Sequence, residues 1–183
     1  FGPHIGAMYL SKNLSQRLPN QGHFFNEKNN RKRLYPAGPD HAQIASLVGL
    51  SDYIEKVYYH HFTKKIKLSE MSYNVRKLQK KHEKKLLKKL LFFLNYKKIP
   101  IVGTKNLKYR VSTVSLNIEK PAKQIAKKMY EDGVLTDGGD FYANRLLKSL
   151  GINLSFGVLR LSFVHYNNID DIEKLIKSLN KNL

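Results

Sequence analysis

Apolar and polar positions divide the chain into segments of different periodicity. After Gly2-Pro3 the run IGAMYL (Ile5 to Leu10) is uninterruptedly apolar and predicts a buried strand entered through a tight turn. Residues Ser11 to Pro36, with the NEKNNRKR run, show no sustained period and predict a long loop holding at most one helical turn. From Asp40 the segment HAQIASLVGLSDYIEKVYYHHF has apolar residues at helical spacing, with Asp40 as N-cap after Pro39. A second helix is predicted from Ser69 to Tyr96. On it Val75, Leu78, Leu86, Leu90, Phe93 and Leu94 gather on one side, and Lys77, Lys80, Lys81, Lys84, Lys85, Lys88 and Lys89 form a basic stripe on the other.

From Ile99 short strands alternate with helices. IPIV and RVSTVSLNI read as strands, and Pro121 to Glu131 as a helix opened by proline and closed at Gly133. Val134 to Thr136 read as a short strand, Ala143 to Leu150 as a helix ended by Gly151, GVLRLSFV as a strand, and Ile169 to about Asn180 as the closing helix. The alternation predicts helices packed on a small sheet, and the change of texture near Lys98 marks a boundary between two lobes.

The chain has 183 residues, 42% of them hydrophobic, which suffices for a buried core and excludes a disordered polybasic tail. No apolar run is long enough for a membrane helix, and no secretory leader is recognisable, so a cytoplasmic protein is expected. Without cysteine there is no disulfide framework, no thiolate-ligated metal and no persulfide carrier in this chain. Lys and Arg number 33 against 14 Asp and Glu, a net charge of +19 that attracts polyanions. Lys predominates over the bidentate Arg, and no zinc-finger, RNP-type or helix-turn-helix pattern accompanies the charge, so nucleic-acid binding is expected to be nonspecific at most. Phosphate-loop, dinucleotide and HExxH motifs are absent, and His60 and His61, adjacent on a helix, point about 100° apart and read as surface residues rather than metal ligands.

Three segments in this order resemble the class V aminotransferase group of fold-type I pyridoxal-phosphate enzymes, particularly its cysteine desulfurase-like and selenocysteine lyase-like branch. FGPHIGAMYL is similar to the stretch following the cofactor lysine, AGPDHAQIASLVGLSDYI to the stretch where a Gly-Thr pair opens a helix, and GVLRLSFVHYNNIDDIEKLIKSL to the C-terminal signature. The resemblance implies an α/β to α+β fold: residues 1–97 as the C-terminal end of the pyridoxal-phosphate-binding large domain with connecting helices, and 98–183 as the small α+β domain. It implies pyridoxal 5'-phosphate as cofactor, on a lysine two residues before Phe1, and a homodimer acting on an amino acid.

Residue by residue, the resemblance makes Arg160 the group that binds the substrate α-carboxylate; on spacing alone, Arg160 also reads as an edge-strand arginine facing solvent. Gly2 and His4 would lie beside the cofactor, and Gly38 matches the glycine of the Gly-Thr pair that reaches the neighbouring subunit's cofactor phosphate. Pro39 replaces the threonine, so that contact would fall to Gly38, the Asp40 backbone or His41. Phe141 stands about where desulfurases carry their sulfur-accepting cysteine, which implies a lyase, aminotransferase or epimerase without a persulfide. Gly138, Gly139 and Asp140 read equally as a plain turn and as a flexible loop with a substrate role, and Tyr166 and Asn167 as framework for the last helix. The alternatives are a basic polyanion-binding module and a catalytically inactive remnant.

Overall fold

A computed structural model describes residues 4–35 and 38–183. The chain forms two compact units, residues 1–75 and 76–183, and the composition change at Lys98 falls inside the second.

In the first unit α1 (Lys12–Arg17) is capped by the Ser11 side chain, and a single 3-10 turn spans Phe24–Asn26. The helix expected from Asp40 is divided at Leu47 into α2 (His41–Ser46) and α3 (Val48–His61), and the Asp40 carboxylate caps the first by accepting from Gln43 N at 3.0 Å. Tyr58, Met71 and Val75 form the small core of this unit, with Ile54, Val57, Phe62 and Ile66 packed against them. The strand expected at Ile5 to Leu10 is not formed: the segment is irregular, with Met8 70% and Tyr9 91% exposed. A strand requires an edge to pair with, and this unit offers none among the described residues. Apolar character alone did not supply one.

The helix α4 (Leu68–Tyr96) begins in the first unit and ends in the second. Three strands follow: β1 (Thr113–Leu116), β2 (Asp137–Gly139) and β3 (Val158–Ser162), all antiparallel in the order β1-β3-β2. IPIV contributes only an isolated bridge from Ile101 to Leu116, as suits a segment whose Pro100 has no N–H to give a ladder. The strand expected at Val134 to Thr136 lies three residues later. There the chain is still closing α5 (Ala122–Glu131): Gly133, at φ +73°, and Val134 return their N–H groups to Tyr130 O and Met129 O, so pairing begins only at Asp137.

Alternation along the strands turns Val114, Leu116, Leu159 and Leu161 to one face, where they are fully buried. Leu86, Leu87, Leu90 and Leu94 of α4, Ile125 and Met129 of α5, and Ile172, Leu175 and Leu179 of α7 (Ile169–Asn182) complete this core. Val158 lies in a second small cluster with Leu147 and Ile152, formed with α6 (Asn144–Ser149). A capping box starts α7: Asn168 accepts from Asp171 N while the Asp171 carboxylate accepts from Asn168 N.

At the other end of α7, Asp132 accepts from Lys181 Nζ at 2.5 Å and from Ser178 Oγ and Asn182 Nδ2 at 2.7 Å each. These three donors, Lys181 first, hold its carboxyl at about 2 against an ordinary 3.8. A carboxylate stabilised in the folded state adds stability above its unfolded pKa, and this is lost as pH falls from about 4 towards 2. Asp132→Asn should therefore flatten the acid limb of a plot of unfolding midpoint against pH in that window; an unchanged acid limb would show the network to be without thermodynamic weight.

Candidate functional site

The second face of the sheet carries the polar residues of the strands. Arg160 lies on β3, the central strand, with Ser115 of β1 and Asp137 of β2 as its cross-strand neighbours. The expectation of an edge-strand arginine is thereby corrected: ladders on both sides fix its backbone. The guanidinium is half-buried, and its carbon lies 3.9 Å from the centroid of the Phe141 ring. The π face of the ring attracts the cation from that side, and no hydrogen bond to the described residues occupies its N–H donors.

Asp137, the acidic neighbour in register, makes no ion pair with Arg160. Its Oδ1 accepts from Gly138 N at 2.8 Å. Arg160 is thus a half-buried cation without a carboxylate partner among the described residues, an arrangement that favours an anionic ligand.

Phe141 owes its place to a tight turn between β2 and α6. Both Phe141 and Tyr142 have left-handed backbones, at φ +51° and +60°, a conformation costing about 1 kcal/mol for a residue with a Cβ. Asp140 holds them there, accepting from Tyr142 N through Oδ1 at 3.0 Å and from Ala143 N through its carbonyl at 2.9 Å. The ring then packs against the Leu147, Ile152 and Val158 cluster. The far side of this turn borders a cleft of about 630 Å³ whose lining includes Lys123, Asp137, Asp140, Phe141, Ser155 and Phe156. Neither the position of Phe141 beside Arg160 nor this cleft follows from the sequence. Residues 141 and 160 are brought together only by the pairing of β2 with β3, for which a short Gly-Gly strand carries no periodic signal.

The remaining expected site residues belong to the first unit. His4 and His41 are exposed, Gly38 is exposed with open space where a Cβ would stand, and Gly2 lies outside the described residues. No hydrogen bond joins His4, Gly38 and His41 among the described residues. His60 and His61 meet edge to face on the surface of α3, and the described residues contain no group of three or more His, Asp or Glu able to hold a metal. Asn167 is framework as expected: it accepts from Val164 N and donates to Asp171.

The family described as aminotransferase class-V matches residues 4–175. Over 187 aligned positions the chain is 29% identical to the aminotransferase-like protein FGM3 of Gibberella zeae, covering 98% of this chain and 42% of that protein. Among solved structures, the cysteine desulfurase of Thermococcus onnurineus NA1 aligns with a TM-score of 0.55 at 25% identity, over 62% of this chain and 28% of that one. The cysteine desulfurase CsdA of Escherichia coli aligns with a TM-score of 0.57 at 18% identity, over 82% and 32%. The NifS-like protein of Rickettsia africae ESF-5 gives 0.57 at 18%, over 79% and 35%. This chain spans less than half the length of these relatives, and its mixed α/β fold resembles that of the cysteine desulfurases.

Members of these families depend on pyridoxal phosphate. The described residues do not form a cradle for that group. The Asp40 carboxylate already occupies an N–H of the first turn of α2 and would oppose a phosphate there, and Pro39 brings no N–H. No chemical step through the cofactor is assigned to them.

Proposed function

We propose, on the premise that this chain belongs to the class V aminotransferase family, that it is the C-terminal part of a pyridoxal-phosphate-dependent enzyme acting on an amino acid, with Arg160 binding the substrate α-carboxylate. The observation that carries this reading is the guanidinium of a central strand, half-buried, set over the Phe141 ring and without a carboxylate partner among the described residues. Two parallel N–H donors on a carboxylate fix both position and rotation of the bound molecule, and so orient the bonds at its α-carbon. Phe141 removes water from one face of the cation, and the unpaired charge strengthens the attraction for an anion. With no cysteine in the chain, the loop at Phe141 supplies no sulfur acceptor, so the reaction is a lyase, transferase or epimerase type rather than persulfide formation on this loop. In this reading the full-length protein is a cytoplasmic homodimer, whose covalent cofactor lysine precedes Phe1 and whose Gly2, His4, Gly38 and His41 lie near the cofactor.

In the full-length enzyme, Arg160→Ala should raise KM for the amino-acid substrate about a hundredfold or abolish turnover, while cofactor absorbance is retained. Arg160→Lys should recover part of the loss, since a point charge attracts a carboxylate without the fork geometry. Unchanged kinetics in Arg160→Ala would remove Arg160 from the substrate site.

A further inference from the structure

On the solvent side of α4, Lys81, Lys85 and Lys88 stand in line at helical spacing, and the line continues into Phe92 and Tyr96. Both aromatics are exposed, at 76% and 75%. Phe92 adjoins further apolar side chains, and a contiguous apolar surface rimmed by charge marks a place of association. Beside Phe92 the surface is concave. Leu91, Phe92, Ile99, Ile101 and Leu107 line an apolar groove of about 270 Å³ between α4 and the chain that follows it, with Lys88 and Lys105 also in its lining. Lys81, Lys85, Lys88 and Lys105 have no carboxylate partner among the described residues.

We propose that this face docks an acidic amphipathic segment of a partner protein, with its apolar side chains seated in the groove beside Phe92 and its carboxylates over Lys81, Lys85, Lys88 and Lys105. Charge complementarity selects the occupant: Lys88 and Lys105 line the apolar recess, and Lys85 and Lys81 continue the row of unpaired cations up α4, which matches a helix with two or three apolar anchors at one end and carboxylates along its length. Nucleic acid would use the lysines but gain nothing from an apolar recess. An anionic bilayer is met by a protruding apolar ridge, whereas Ile99, Ile101 and Leu107 are partly buried within the groove. The lysine stems contribute apolar contact at the rim, with their ammonium groups remaining near water. Nothing in this proposal depends on the role of Arg160.

The test uses the full-length protein and a fluorescein-labelled helical peptide of about 16 residues, roughly four turns, with leucines at three-and-four spacing and glutamates elsewhere. Its affinity is compared with polyglutamate of equal charge, with duplex DNA and with phosphatidylserine vesicles. The peptide should bind at least about tenfold more tightly than polyglutamate, and should weaken about tenfold in either Phe92→Asp or the pair Lys88→Glu and Lys105→Glu. These positions are on the surface, so the melting temperature should be held and any loss read as lost docking. Equal binding of peptide and polyglutamate, or indifference of the peptide to Phe92→Asp, would overturn the proposal in favour of plain charge attraction. Tighter binding of DNA or of the vesicles than of the peptide, lost in the same variants, would overturn it in favour of that ligand.

Discussion

Gly138→Ala should cost the second unit about 3 kcal/mol or more, a large share of the stability of a marginally stable protein. A Cβ at Gly138 would stand 2.3 Å from the carbonyl carbon of Ala122, 2.5 Å from its oxygen and 2.5 Å from Lys123 N. All three are backbone atoms, so no side chain can swing away to make room. Retreat is blocked from both directions. β2 is held by its pairing with β3, where Gly138 stands opposite Leu159, and the start of α5 is held by Ala122 N donating to Phe156 O at 2.9 Å. Gly49 provides the contrast: it lies in α3 with nothing within 4 Å of the point where a Cβ would stand, so Gly49→Ala should gain roughly 0.5–1 kcal/mol from helix propensity. Urea unfolding of both variants measures the two signs. A Gly138→Ala midpoint close to that of the parent would disprove the close approach of β2 to α5.

The second large effect is expected at Leu159, which is fully buried at the centre of the sheet. Leu159→Ala removes a methine and two methyl groups from a core shared with α4, α5 and α7, and should cost about 3 kcal/mol in transfer and cavity terms. Leu159 and Arg160 are consecutive, yet face opposite sides of one strand. Truncation at Leu159 should therefore lower the denaturant midpoint with KM per folded enzyme nearly unchanged, whereas truncation at Arg160 should do the reverse. Measuring midpoint and KM on the same two variants separates the roles. A loss below about 1 kcal/mol at Leu159 would mean that the core collapses around the gap more completely than a paired central strand should allow.

Much of this fold was legible because its signals are local. Asp40 and Gly133 act within one turn of a helix end, and the structure places both of them in the expected cap. The long α4 and the closing α7 follow from sustained periodicity, which outweighs single residues. Strands failed where their evidence was only apolar content: Ile5 to Leu10 has no edge to join among the described residues, and β2 is a Gly-Gly segment whose pairing is decided by β3 rather than by its own side chains. At the candidate site, Arg160 was legible as a charge inside an apolar strand. Its central position and the Phe141 ring above it were not, since both depend on which strands pair and on a turn of two left-handed residues that no β-propensity scale anticipates.

The two halves of that site are anchored differently. Arg160 is carried by a backbone laddered on both sides, whereas the Phe141 turn is secured by Asp140 and by packing on one small cluster. A substitution in the turn can therefore change the group presented beside the guanidinium while β3 keeps Arg160 in register. On the proposed role of Arg160, binding and reactivity could be altered separately.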